Sequence, residues 1–274
     1  MSLNKEIKAF LFDIDGTLIN RQLEMSNNTK NALKILKDKG YHLSINTGRP
    51  SFAIEKVLGL NGVADLFEYY FGYNGIEVFN VKTKEISYIS TISSATIKEL
   101  DQIFSEDYLS LCTYDNDNNI QFNHYPKSKE KLKEWSELRF TKPKLFDFQK
   151  NTMDYAKAIV LFDLDKKEEF LNKIKDFKDD RVDLFFSGID VIEIVPKGLN
   201  KGRSVSEYAK MLGIKEKEIL CCGDAESDLP ALKKGTGVLI GSPELDPNNE
   251  VAYHTGTVHE DGLYNFLKNN SFLD

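Results

Sequence analysis

Four carboxylates carry the first chemical signal in this chain. Asp13 and Asp15 follow the apolar run Ala9-Phe10-Leu11-Phe12, and Asp224 and Asp228 follow a second run that ends in Cys221-Cys222-Gly223. Two unit charges about 4 Å apart repel by roughly 4 kcal/mol at an effective dielectric of about 20. If these four groups converge, they must take up protons or hold a cation. Oxygen-only donors with room for waters suit Mg²⁺. Two further elements carry the opposite character: Thr47-Gly48-Arg49 closes another apolar run, and Lys201 opens a helix-like stretch. Lys201 together with a divalent cation would attract a phosphate dianion. Thr47 and backbone amides near Gly16 and Gly48 would then donate hydrogen bonds to its oxygens.

Taken singly, each element has an ordinary explanation. Asp-x-Asp also occurs in glycosyltransferases and calcium loops, Thr47-Gly48-Arg49 is a common turn, and a lone Lys201 reads as a surface lysine. The chemical reading rests on four elements in order, each at an end or start of a segment.

The segments that must position them alternate. The run at Lys8–Phe12 is continuously apolar, as in a strand buried on both faces of a parallel sheet. Ser26 caps a predicted helix through Ala32, Leu33 and Leu36, with Gly40 at its stop. Tyr41–Ile45 then reads as a strand and Ser51–Leu58 as a helix. The C-terminal third repeats this logic: helix at Asn200–Leu212 before Gly213, strand at Glu218–Cys222, helix at Leu229–Lys234, strand at Gly237–Ile240 and helix at Asp261–Lys268. Strand and helix in alternation predict an α/β sheet, and in such sheets ligands sit beyond the carboxyl ends of the strands. From about Val81 to Ile189 the pattern changes. Leu109–Thr113 and Ile120–Phe122 flank the turn formers Tyr114–Asn119, and Ser128–Leu138 and Lys166–Phe177 read as charged amphipathic helices. The expected layout is an α/β core, residues 1–81 and 189–274, interrupted by an α+β domain at 82–188.

Composition narrows the function. With 43 acidic against 36 basic residues and a net charge of −7, the chain lacks the broad basic surface that nucleic acids bind. No run approaches the roughly 18 apolar residues of a membrane span, and the N-terminal residues show no signal-peptide apolar region. Three cysteines do not make a disulfide framework; the adjacent Cys221 and Cys222 read as buried thiols. A cytoplasmic protein is expected, as a monomer or weak homodimer, with no nucleic-acid or membrane partner.

Asp13-Ile14-Asp15-Gly16-Thr17-Leu18 resembles motif I of the haloacid dehalogenase superfamily, and Ser44-Ile45-Asn46-Thr47-Gly48-Arg49 resembles motif II. Lys201 within Gly198-Leu199-Asn200-Lys201-Gly202 is similar to motif III, and Gly223-Asp224-Ala225-Glu226-Ser227-Asp228-Leu229 to motif IV. Asn74-Gly75 resembles a pair found in the Cof-type branch, whose type IIB cap lies between motifs II and III. The resemblance implies a three-layer Rossmann-like parallel-sheet core with an inserted α+β cap that closes over the site. It implies a Mg²⁺-dependent phosphatase of small phosphorylated metabolites, sugar phosphates first. Asp13 would be the nucleophile that becomes an aspartyl phosphate, and Asp15 the acid and then the base. Asp13, the Asp15 carbonyl, Asp224 and Asp228 would hold the metal. Thr47, Gly48 and Lys201 would bind the transferring phosphoryl group, and Arg49 would reach the phosphate or another part of the substrate.

The chain departs from the family pattern at two places. Ser227 replaces the usual Asn of motif IV, predicting a weaker or water-bridged contact, and Gly241-Ser242-Pro243 stands where the branch often has Gly-Asn-Ala. A sugar phosphomutase or a non-catalytic phosphometabolite-binding protein on the same fold are the alternatives. A glycosyltransferase leaves Lys201, Asp224 and Asp228 unexplained. His42, His124, His254 and His259 show no metal-ligand spacing, Asp115 and Asp117 read as turn formers, and Trp135 as packing.

Overall fold

The computed structural model describes residues 3–115, 118–138 and 140–274, with the backbone alone for 4, 131, 134, 135, 138 and 188. Asn116 and Asp117 and the Trp135 side chain lie outside the described residues. In chain order the elements are α1 (Leu3–Glu6), β1 (Ala9–Phe12), α2 (Asn27–Asp38), β2 (His42–Asn46), α3 (Ser51–Leu60), β3 (Tyr69–Gly72), β4 (Glu77–Asn80) and β5 (Ile86–Tyr88). Then come α4 (Ser94–Ile103), β6 (Leu109–Tyr114), β7 (Ile120–Phe122), α5 (Lys129–Leu138), β8 (Pro143–Leu145), β9 (Ala158–Phe162), α6 (Lys167–Ile174), β10 (Val182–Gly188) and β11 (Val191–Pro196). The chain closes with α7 (Lys201–Leu212), β12 (Ile219–Gly223), α8 (Leu229–Lys234), β13 (Thr236–Ile240), β14 (Tyr253–Thr255) and α9 (Gly262–Asn269).

These elements divide into two compact units, residues 1–89 with 200–274, and 90–199. The first unit holds the sheet β14-β13-β12-β1-β2-β3-β4-β5. Its strands from β14 to β3 run parallel, and the antiparallel β4–β5 hairpin extends one edge. Central β1 is buried at every position, because both of its faces are covered. Ala9 and Leu11 pack with Val205 and Tyr208 of α7 and with Ala231 and Leu232 of α8. Alternate residues of a strand face opposite ways, so Phe10 turns to the other layer, where its ring meets Phe272 beyond α9 at 5.3 Å. Helix, sheet and helix give the three layers.

Local signals explain the boundaries. Ser26 accepts a hydrogen bond from the Thr29 amide and starts α2. Asn200 caps α7 by accepting from the Gly202 amide, and Gly213, in the left-handed region at φ 66°, ends it. A residue without Cβ adopts that conformation at no steric cost.

The second unit holds the sheet β10-β11-β9-β6-β7-β8, antiparallel except for β7 with β8. One face packs Leu109, Leu111, Val160 and Ile192 against Ile97 and Leu100 of α4 and Phe170 of α6. This is the inserted α+β cap. Asp115 accepts from the Asn119 amide and pairs with Lys144, as a turn residue does. No helix among the described residues is long and apolar enough to cross a membrane.

Candidate active site

The parallel register carries the ends of β1, β2 and β12 to one edge of the sheet. The Asp13 amide donates to Cys222 O at 2.9 Å, so the ladder continues one residue past β1 and fixes Asp13 beside the loop that carries Asp224. Asp13 is buried, as are Asp228 and Lys201. Lys201 Nζ donates to Asp13 Oδ1 at 2.7 Å and to Asp228 Oδ1 at 2.6 Å. The other oxygen of Asp228 accepts from the amides of Asp224 and Ala225, which ties the loop into a tight turn. Ser227 lies half-buried within that turn.

Asp224 completes the cluster. One oxygen from each of Asp13, Asp224 and Asp228 falls within 4.8 Å of the others. Thr17 Oγ1 donates to Asp224 Oδ1 at 3.3 Å. Gly16 makes room for this carboxylate: its φ is +80°, and a Cβ there would lie 2.0 Å from Asp224 Oδ2. The amide of Gly16 itself donates to Ile19 O at 2.9 Å and closes its own turn.

Three carboxylates share one ammonium here, and the electrostatics follow from that imbalance. Burial, reinforced by Asp228, Asp15 and Asp224 against the opposing Lys201, pushes the Asp13 carboxyl up to about 8. Burial and Asp228 push Asp224 up to about 6, against Lys201 and the Thr17 hydrogen bond. Burial opposes the charge on Lys201, but Asp13 and Asp228 outweigh it and hold the ammonium well above its usual range. A hard, all-oxygen set with surplus negative charge fits a divalent cation of the Mg²⁺ type.

The remaining predicted residues lie around this cluster. Thr47 is buried at the end of β2; its amide donates to Phe71 O, and its carbonyl accepts from the Asn74 amide. A Cβ on Gly48 would lie 3.3 Å from Asn74 Oδ1, so the Asn74-Gly75 pair forms the wall behind motif II. Asp15 pairs with the guanidinium of Arg49, with Nε to Oδ2 and Nη2 to Oδ1 both at 2.6 Å. In this structure Arg49 engages Asp15, because the planar fork matches a carboxylate at both oxygens.

Sequence reasoning passed over Asn46. Its Nδ2 donates to the Lys201 carbonyl and its Oδ1 accepts from Ser204 Oγ. It thereby fixes the start of α7, and hence Lys201, against β2. The available signal was a polar amide at the end of a buried strand, which costs free energy unless fully hydrogen-bonded.

Comparison with known proteins agrees with this arrangement. The profile of the haloacid dehalogenase-like hydrolases matches residues 10–267, and the chain belongs to that family. A putative phosphatase of Bacillus subtilis, YxeH, is 24% identical over 93% of this chain and 95% of its own length. The 5-amino-6-(5-phospho-D-ribitylamino)uracil phosphatase YitU of the same organism is 25% identical over 96% of this chain and 98% of its own. A haloacid dehalogenase-like hydrolase from Bacteroides thetaiotaomicron superposes with a TM-score of 0.83 at 24% identity, covering 96% of this chain and 99% of that one. A subclass IIB sugar phosphatase gives 0.78 at 24% identity, covering 96% and 98%. The chain is an enzyme of this hydrolase family.

Proposed function

We propose that the protein is a Mg²⁺-dependent phosphatase that hydrolyses phosphate monoesters of small metabolites through an aspartyl phosphate on Asp13, with sugar phosphates as the leading class. The observation that carries this reading is the buried cluster itself: Lys201 Nζ within 2.7 Å of Asp13 and 2.6 Å of Asp228, with Asp224 beside them. The sugar-phosphate preference rests on the subclass IIB sugar phosphatase among the structural neighbours. The buried cysteines Cys112, Cys221 and Cys222 suit a reducing cytosol.

Asp13, Asp224 and Asp228, with the carbonyl of Asp15, would hold the metal, which supplies charge neutralisation at the phosphoryl oxygens. An Asp13 carboxylate oxygen attacks phosphorus, and the P–O bond to the leaving group breaks. Asp15 gives its proton to the departing oxygen. Asp15, now a carboxylate, takes a proton from water; the oxygen of that water attacks phosphorus, and phosphate leaves as the Asp13 carboxylate is restored. Lys201 keeps Asp13 oriented through Oδ1 and offsets charge on the transferring group. Arg49, which grips both oxygens of Asp15 in this structure, must release it before Asp15 can act as the acid.

The test is inorganic phosphate release across sugar phosphates, nucleotides, pyridoxal phosphate and an aryl phosphate, with Mg²⁺ and with chelator. Mg²⁺-dependent release that falls by at least about a thousandfold in Asp13→Asn is expected, the scale on which removing a covalent nucleophile acts. Isomerisation of a sugar phosphate without release would move the assignment to a mutase. Tight binding without either reaction would move it to a binding protein.

A further inference from the structure

A cavity of about 220 Å³ opens in the first unit beside the catalytic cluster. Its lining includes Asp15, Asp224, Gly241, Ser242, Arg21 and His259. Its volume equals about seven waters at liquid density, enough for a small charged group and its link to the reacting phosphate. Neither Thr47 nor Lys201 lines it, so it is separate from the place where those residues face the transferring phosphoryl group.

Arg21 and His259 are both exposed. Among the described residues, neither has a hydrogen-bond or ion-pair partner. Other basic side chains are paired, Lys37 and His42 with Glu68, Arg49 with Asp15, Lys173 with Glu106 and Arg181 with Asp179. The cavity shares Asn20, Val258 and His259 with a wider groove of about 730 Å³. Lys30 lies along that groove and also has no partner among the described residues. The acids on the same path are already engaged: Glu24 accepts from Asn20 Nδ2, and Asp261 from Asn28 Nδ2. Arg21, His259 and Lys30 are thus side-chain donors left over along the path.

Position relative to the chemistry gives the cavity its role. The bond that breaks lies between phosphorus and the oxygen that Asp15 protonates, so the leaving group passes Asp15. Asp15 is also one of the residues that line this cavity. We propose that Arg21 and His259 form a second anion subsite on the catalytic core, which receives an anionic group on the leaving portion of the substrate. The preferred substrates are then doubly anionic metabolites: a phosphate monoester whose alcohol carries a second phosphoryl group or a carboxylate. The proposal rests on the assignment of Asp13 and Asp15 above. It places part of substrate selection on residues outside the inserted unit.

The test compares glucose 6-phosphate, glucose 1,6-bisphosphate and 6-phosphogluconate as substrates of the full-length protein with Mg²⁺. The two doubly anionic compounds are expected to exceed glucose 6-phosphate in kcat/KM by at least tenfold. In Arg21→Ala/His259→Ala that ratio is expected to fall to within about threefold of unity. A wild-type ratio near one, or a ratio that survives the double substitution, overturns the subsite. The bisphosphate and the sugar acid report separately whether a phosphoryl group or a carboxylate is received. Calorimetric titration of the same three compounds onto Asp13→Asn, with and without the Arg21 and His259 substitutions, reads the subsite without turnover. Selective weakening of the doubly anionic ligands supports it, and equal weakening of all three refutes it. Failure of every compound to release phosphate from the wild type counts against the Asp13 chemistry, and the titrations then decide the subsite independently.

Discussion

The two units each bury a lysine among carboxylates, and they do so on opposite terms. In the cap, Lys157 and Glu193 are both buried, with Nζ and Oε1 2.8 Å apart. They lie on neighbouring strands, Lys157 just before β9 and Glu193 within β11. Among the described residues this pair sets one positive charge against one negative charge. In the core, Lys201 is shared between Asp13 and Asp228, and Asp224 adds a third carboxylate to the same cluster. That site is short of positive charge. A balanced buried pair is an internal support, whereas an unbalanced one is poised to accept a cation or a proton. The inventory of charge separates the two, although both look alike as buried salt bridges.

The sharpest way to break this comparison is to remove one charge from each cluster and follow metal-free stability. Lys157→Met leaves Glu193 buried without its counterion and is expected to destabilise the protein by about 3–5 kcal/mol, read from urea unfolding. Asp13→Asn removes a surplus negative charge and is expected to shift stability at pH 8 the other way, upward. Equal losses in the two variants would show that both clusters are structural.

A pH series sharpens the same contrast. Asp13 in the folded protein is pushed up to about 8, and Asp224 to about 6, above the unfolded carboxylate value near 4. A raised carboxyl pKa contributes stability that is present below the unfolded value and lost as pH rises through the folded one. In chelator, the melting temperature is therefore expected to fall from about pH 5 to pH 8 by an amount corresponding to a few kcal/mol. The slope should flatten in Asp13→Asn, and added Mg²⁺ should raise the wild-type melting temperature most at the alkaline end. A flat chelated profile in the wild type would contradict the charge imbalance.

The smallest expected effect is at Ser227. Its half-buried place in the turn that delivers Asp228 predicts that Ser227→Asn changes kcat/KM by only a few fold. A change beyond about tenfold would mean that this position touches the reacting groups.

Much of the site was legible before the fold was known. Asp13, Asp224 and Lys201 each stand where a buried apolar pattern stops or a helix begins, and periodicity reveals such boundaries. Ser26, Asn200 and Gly213 likewise announced the ends of α2 and α7. Partnerships across the sheet edge were not legible. Arg49 reads equally well as a substrate ligand or as the partner of Asp15 until their separation is known. Asn46 bonds to residues 155 and 158 positions away, and no local pattern encodes that. The β4–β5 hairpin was also hidden. Its β5 strand, Ile86–Tyr88, is only three residues long and exposed throughout, and pairing with β4 defines it.

The neighbours of β1 also bear on how the protein must be made. This strand pairs on one side with β2, which follows within one helix of chain, and on the other with β12. The contact between Thr17 and Asp224 spans 207 residues, and the whole cap is translated in between. At about 5–20 residues per second, one side of the most buried strand waits roughly 10–40 s for its partner to leave the ribosome. During that interval Phe10, Leu11 and Phe12 sit on an open sheet edge, the kind of surface that invites pairing with another chain. The nascent protein therefore passes through its most aggregation-prone state with the cap sequence already complete and the catalytic cluster still missing Lys201, Asp224 and Asp228.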